Sequence, residues 1–134
     1  MAITLEIGVN TYVTLEEANS MLEAVFDNEE WKLLTDEQKK VCLVNAANKI
    51  NLLAVKGSKL DTEQALIFPR NWETATSDKV KMAQCYEALE ICRYIQIKKA
   101  MICHLNKNNN NKVATIPSVN DIVCVFVILI VRLG

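Results

Sequence analysis

The chain has 134 residues, of which 51% are hydrophobic and 23% charged, values that are ordinary for one folded domain with a modest core. Its 3 glycines and 2 prolines supply few turns, so we expect few, long elements and an all-α fold. A formal net charge of −1 lacks the strongly basic balance of a dedicated nucleic-acid-binding domain.

Charge is distributed unevenly along the chain. Residues 1–40 carry nine acidic and three basic side chains, a net of −6, whereas residues 41–134 carry seven acidic and twelve basic side chains, a net of +5. Such polarity suits head-to-tail self-association or docking on a charged partner. The alternative is that solvated helix faces simply differ in sign.

The sequence contains no catalytic or metal-binding motif. The five cysteines form no C-x-x-C pair and their number is odd, which favours a reducing cytosolic setting, and His104 is the only histidine. Adjacent carboxylates such as Glu16 and Glu17 project in different directions on a helix. We therefore expect no enzyme activity, no catalytic or metal residue and no cofactor.

No targeting or membrane segment is predicted. The first residues contain Glu6, Glu16 and Glu17 and lack the basic start of a signal peptide. The longest apolar run, residues 122–131, is about half as long as a membrane-spanning helix needs to be.

The first third predicts an extended arm followed by two helices. Residues 2–13 are rich in β-branched types and predict the arm. Thr14 and Glu17 form a capping box that opens a helix to about Phe26. Its apolar stripe is Ala18, Met21, Leu22, Val25 and Phe26.

A short connector and a second helix follow. The connector is predicted to contribute three side chains to the core, those of Trp31, Leu33 and Leu34. Thr35 and Gln38 form a second capping box, and the helix it opens runs to about Leu53. The positions expected to face inward are Val41, Val44, Ala47 and Ile50.

A turn separates these helices from the longest one. Gly57 ends the second helical region, and Asp61 with Gln64 could cap one more short turn. Pro69 then breaks the chain after Phe68. Arg70, taken as exposed, and Trp72 follow this break, and we predict that Phe68, Arg70 and Trp72 form a partner or subunit interface. Phe68 and Trp72 are expected to hold the turn on the bundle, and Arg70 to face a neighbouring subunit or an internal carboxylate.

The longest helix is predicted to begin at Ser77 or Asp78 and to reach about His104. It is apolar on nearly all sides between Cys85 and Ile97, as expected for a helix buried on several sides. Its Lys79, Lys81, Lys98 and Lys99 are the candidate nucleic-acid contacts, with Arg70 and Arg93 as further basic candidates and Trp72 and Tyr86 as stacking groups. The alternative is that these aromatics belong to the core and that the basic residues form an ordinary polar strip.

The whole chain is predicted to consist of three segments. They are a helical domain over residues 1–105, an Asn-rich hinge over 106–112 and a hydrophobic tail over 113–134. The tail is dense in valine and isoleucine and therefore strand-prone. It needs a partner strand from its own domain or from another chain. Ile122, Val125 and Val127 are the predicted interface residues of this tail.

Three groups of residues together carry a family resemblance over roughly residues 1–100. They are Thr11–Tyr12 with Thr14 through Ala18, the Gln64–Ala65–Leu66 and Phe68–Pro69–Arg70 turn, and Val80–Lys81 with Ala83–Gln84. In this pattern the chain resembles small phage head–tail connector (adaptor) proteins, many of which are described as DnaT-like single-stranded DNA-binding proteins. None of these residues is a catalytic signature.

The resemblance implies a helical bundle of three to four helices that assembles as a homo-oligomeric, dodecameric ring beneath the portal protein of a virion. Such a ring extends the DNA channel, holds DNA only as passing contents and joins the capsid to a neck or tail completion protein. The protein would be synthesised in the cytoplasm of a bacterial host. The alternative function is DnaT-like binding of single-stranded DNA during phage replication.

Overall fold

The structure is a computed structural model that describes residues 2–25 and 27–107. It contains four helices: α1 (Leu15–Glu23), α2 (Glu29–Lys32), α3 (Asp36–Asn51) and α4 (Asp78–Lys107). The predicted all-α bundle is confirmed. Phe26, the segment from residue 108 onward and the tail residues Ile122, Val125 and Val127 lie outside the described residues.

Both predicted capping boxes are present. The Thr14 hydroxyl accepts a hydrogen bond from the Glu17 N–H at 3.1 Å, and the Glu17 carboxylate accepts one from the Thr14 N–H at 2.8 Å. Thr35 and Gln38 repeat this arrangement at the start of α3. Each box satisfies two N–H groups that a helix start would otherwise leave without a partner.

Helix α1 ends three residues earlier than predicted, at Glu23 rather than Phe26. The side-chain amide of Asn28 donates to the Leu22 carbonyl at 2.5 Å, and Asn28 is buried. Because this amide takes a carbonyl at the end of α1, the chain leaves the helix and turns, with Asp27 at a φ of 62°.

The core lies mainly between α3 and α4. One cluster joins the start of α3 to the middle of α4, through Cys42 and Leu43 against Leu89 and Cys92. A second cluster joins the end of α3 to the start of α4, through Ile50 and Val80. The two helices therefore run antiparallel, and α1 and Trp31 cover the first cluster.

Some predicted core positions are wrong. Trp31 is buried as expected, and its indole N–H donates to Asn19 at 3.0 Å. Leu33, however, is 80% exposed, because it directly follows the single turn of α2, whose inward side Trp31 occupies. Val41 is also exposed, since the buried stripe of α3 runs through Leu43, Ala46, Ala47 and Ile50 and leaves Val41 beside it. Val44 and Leu34 are partly buried.

The N-terminal arm is tied to both long helices by Gln84. Its amide nitrogen donates to the Thr11 hydroxyl at 2.9 Å and to the Leu43 carbonyl of α3 at 2.8 Å. Its amide oxygen accepts from the Tyr12 N–H at 2.9 Å. Gln84 is fully buried, so these three bonds are made without competition from water.

A buried ion pair also links α3 and α4. The Glu87 carboxylate is fully buried and lies 3.1 Å from the Lys49 ammonium, whose side chain is 19% exposed. Neither carboxylate oxygen of Glu87 makes a hydrogen bond within the described residues. Burial raises the pKa of Glu87 above its ordinary value, and the nearby Lys49 only partly opposes this effect.

Replacing Gln84 by leucine is expected to lower the free energy of unfolding by about 1–3 kcal/mol, because the buried Tyr12 N–H and Thr11 hydroxyl lose their partner. Chemical denaturation measures this change. Gln96→Leu, the same substitution farther along α4, is the control and should change stability by less than about 0.5 kcal/mol. Equal effects at the two positions would contradict a structural role for the Gln84 contacts.

Replacing Glu87 by glutamine is expected to change stability in a pH-dependent way. A carboxyl whose pKa is raised on folding contributes stability below its unfolded pKa and loses it as pH rises through the folded pKa. The free energy of unfolding of Glu87→Gln, relative to wild type, should therefore increase between pH 4 and pH 8. Glu16→Gln, on the exposed side of α1, controls for the change in net charge. A relative stability that falls over this pH range would contradict the assignment.

Candidate interaction site around Trp72

The segment between α3 and α4 is organised by the side chain of Arg70. Arg70 is only 6% exposed, and its guanidinium donates to the carbonyls of Lys56 at 3.3 Å, Ile67 at 3.0 Å, Val55 at 3.4 Å and also Gly57. The predicted exposed arginine facing a neighbour or a carboxylate is therefore wrong. Arg70 instead gathers four main-chain carbonyls of its own loop, which suits the fixed fork of guanidinium donors.

Further hydrogen bonds close the same loop. The Leu60 N–H donates to the Pro69 carbonyl at 3.0 Å, and the Asn71 N–H donates to Ser58 at 2.9 Å. The Gln64 amide donates to the Leu66 and Pro69 carbonyls. Asp61 and Gln64 form a hydrogen-bonded turn here, in place of the short helical turn that the sequence suggested.

Phe68 holds the loop on the bundle. It is buried, and its ring meets the Tyr12 ring edge to face with centroids 6.3 Å apart. Burial raises the pKa of Tyr12 to about 12, consistent with a phenol enclosed by this contact. Phe68 thus performs the predicted locking role, and it is buried, with only a small part of its surface exposed.

Trp72 is the exposed member of the predicted interface, with 61% of its surface accessible. The six-membered part of its ring lies against Gly57, where an added Cβ would be 2.2 Å from the indole Cζ3. Gly57 has a φ of +80°, which favours glycine, and the Arg70 guanidinium carbon lies 6.0 Å from the ring centroid. The indole is therefore supported by its own loop and faces outward.

A groove of about 510 Å³ runs between this loop and the start of α4. Val55, Phe68, Trp72 and Val80 line it with apolar surface. Its polar rim consists of Glu73, Ser77, Asp78 and Lys79. An exposed, supported tryptophan beside an apolar groove is a typical contact point for a base or a protein side chain.

The structure does not gather the four predicted lysines. Lys79 is exposed at the groove, whereas Lys81 pairs with Glu17 at 3.3 Å. A hydrogen bond from the Thr14 N–H and this lysine lower the pKa of Glu17. Lys98 and Lys99 are exposed about 25 Å farther along α4, from the 1.5 Å rise per helical residue. Tyr86, the second predicted stacking group, packs against the core.

One cationic residue near Trp72 was missed. Lys56 is exposed and directly precedes Gly57, the residue that supports the indole. The sequence marked Lys56 only by its position next to Gly57. Lys56 and Lys79 are therefore the lysines we place with Trp72.

Two further properties concern the part of the chain that the structure describes. No helix among these residues is both long and apolar enough to cross a bilayer. They also contain no group of three or more His, Cys, Asp or Glu side chains that could hold a metal ion.

Comparison with known proteins assigns a family. Residues 3–121 match the family described as "putative DnaT-like ssDNA binding protein", and the chain belongs to this family. No curated protein and no solved structure gives a significant match. The matched region includes the four helices and the Trp72 groove and stops before the apolar run 122–131. The match confirms the DnaT-like family and carries no information on a head–tail connector role.

Replacing Arg70 by methionine is expected to lower the free energy of unfolding by about 2–3 kcal/mol, because loop carbonyls lose a charged donor. Trp72 should also become more mobile, which time-resolved anisotropy in a Trp31→Phe background would record. Lys56→Met, on the exposed side of the same loop, is the control. An unchanged stability of Arg70→Met would show that the loop does not depend on this side chain.

Proposed function

We propose that the protein binds single-stranded DNA, with Trp72 as the group on which a base stacks. The observation that carries the proposal is the exposed indole, held against Gly57 and Arg70 at the mouth of a groove. The family description supports the same function. Stacking on an aromatic side chain contributes about 1–3 kcal/mol per base and tolerates any sequence.

The charges around Trp72 set the strength of this interaction. Lys56 and Lys79 can each meet a phosphate, but Glu73 and Asp78 lie on the same rim. With so few cations, binding is weak and its dependence on salt is shallow, since the salt slope follows the number of phosphates neutralised. The site suits a short stretch of flexible strand with an unstacked base, and it does not suit a paired duplex.

The test is binding of a fluorescent oligo-dT to the full chain at low salt, followed by anisotropy. Trp72→Ala is expected to weaken binding by about tenfold, the loss of one stacking contact. Trp72→Phe retains an aromatic face and should retain most of the affinity. Binding by Trp72→Ala that equals wild type, or no binding by wild type at low salt, would refute the proposal.

The lysines give a second measurement. Lys56→Glu together with Lys79→Glu should weaken binding and reduce the salt slope. Lys32→Glu, on α2 away from the groove, is compared with each single variant, Lys56→Glu and Lys79→Glu, which change the net charge by the same amount, and it should have a smaller effect than either. Equal losses at Lys32 and at the two loop-side lysines would show that only net charge matters.

We propose the head–tail connector role as a second candidate. It is favoured by apolar residues that are exposed on the C-terminal half of α4, namely Ile95, Ile97 and Met101. It is also favoured by the opposite net charges of residues 1–40 and residues 41–134. In this role the chain would form a ring under a portal protein in the virion, and Trp72 would contact a neighbouring subunit, the portal or a neck protein.

Mixing the purified chain with portal protein separates the two candidates. A connector would form a complex of defined mass with the portal protein, and Trp72→Ala would reduce the amount of that complex. Oligonucleotide binding by the same variant is measured separately. Failure to associate with portal, combined with Trp72-dependent binding of oligo-dT, would leave the DNA-binding function alone.

A further inference from the structure

The far part of α4 extends beyond the rest of the bundle. We define the distal segment as residues 94–107, which contain no acidic residue and in which Lys98 and Lys99 are exposed. Ile97 is 59% exposed and Met101 is 38% exposed. These two side chains are four residues apart and therefore share one face of the helix. The distal segment is thus an apolar strip with basic neighbours.

A surface of the opposite character surrounds Leu33. We define the Leu33 patch as Leu33 with Glu29 and Asp36. Leu33 is the most exposed large hydrophobic residue of this region, at 80%, and Glu29 and Asp36 are exposed on either side of it in the chain. Among the described residues, the Glu29 carboxylate makes only a long, 3.8 Å contact with the Lys32 ammonium, and both of these side chains are largely exposed. The Leu33 patch is an apolar anchor with an acidic rim.

The two surfaces lie at the same end of the molecule. Arg93, which directly precedes the distal segment, lies 3.6 Å from Glu30 of α2 and 3.7 Å from Asp27, and it pairs with Glu90 at 2.6 Å. Leu33 directly follows α2, the short helix that contains Glu30. Leu33 is nevertheless 80% exposed, so the distal segment of the same copy does not cover it.

We propose that the distal segment of one copy packs against the Leu33 patch of a second copy. Ile97 and Met101 would cover Leu33, and Lys98 and Lys99 would face Glu29 and Asp36. The interface would then have an apolar centre and a rim of complementary charge. Because both surfaces lie at one end, two copies make this contact twice around a two-fold axis.

This self-association goes beyond DNA binding and does not depend on it. The Trp72 groove lies at the start of α4, whereas the distal segment is its last part, so the two surfaces are separated by most of a helix about 44 Å long. Lys98 and Lys99, which lie away from the groove, would form the basic side of this contact. The acidic first part of the chain would form the other side.

The test is the mass of the full chain in DNA-free buffer, by light scattering and sedimentation equilibrium over a range of concentrations. Wild type should form a dimer whose dissociation constant rises with salt. Lys98→Glu with Lys99→Glu should raise the dissociation constant at least about tenfold, and so should Glu29→Lys with Asp36→Lys, because each double variant opposes like charges. Circular dichroism checks that both variants keep the helical fold.

Mixing the two double variants is the decisive step. In a mixed dimer each reversed surface meets a surface of opposite charge, so the mixture should regain a dimer that neither variant forms alone. Lys56→Glu with Lys79→Glu, which changes net charge equally at the other end of α4, should still dimerise. A monomeric wild type, an association that ignores the reversals, or a mixture without recovery would each overturn the proposal. The DNA-binding proposal is tested separately through Trp72.

Discussion

The buried amide of Gln84 is the contact on which the rest of this fold depends. It lies at the crossing of three segments, and its three hydrogen bonds fix the arm at Thr11 and Tyr12 to α3 at Leu43. An apolar side chain could fill the same space, but it could not specify where the arm lies along α4. The directionality of these bonds therefore selects one register of arm and helix, while the surrounding hydrophobic core supplies most of the stability.

Tyr12 is connected to the candidate site through Phe68. Tyr12 meets Phe68 edge to face, and its hydroxyl accepts a hydrogen bond from the Phe68 N–H. Arg70, two residues after Phe68, donates to the carbonyls of residues 55–57, and its guanidinium lies over the Trp72 ring. An exposed indole is thus held by a continuous series of contacts that begins at a buried amide. This explains why a large apolar side chain is stable at the surface of this loop.

The parts of this structure that the sequence predicted are those encoded over short spans. Both capping boxes need only residues i and i+3, and Trp31 follows from its size and apolar character. The burial of Arg70 could not be predicted, because its partners are carbonyls brought near by the loop and leave no mark in the sequence. Leu33 was assigned to the core for its hydrophobicity, yet the single turn of α2 has room for one inward side chain, and Trp31 occupies it. The separation of Lys81 from Lys98, by contrast, follows from helical rise alone.

The distribution of charge determines how the proposed DNA binding and the proposed self-association would relate in this molecule. Lys79 lines the Trp72 groove together with Glu73 and Asp78, and Lys56 directly precedes Gly57 in the same loop. A strand bound there would therefore meet little net positive potential. Lys98 and Lys99 are exposed in the distal segment, which follows directly after Arg93, the residue that contacts Glu30 of α2. In the proposed dimer these two lysines would face the acidic rim of a second copy. In a two-fold dimer joined through the distal segments, the two Trp72 grooves would lie at opposite outer ends. A short strand could then reach only one groove, whereas a strand long enough to span the dimer would gain from the high effective concentration of the second groove.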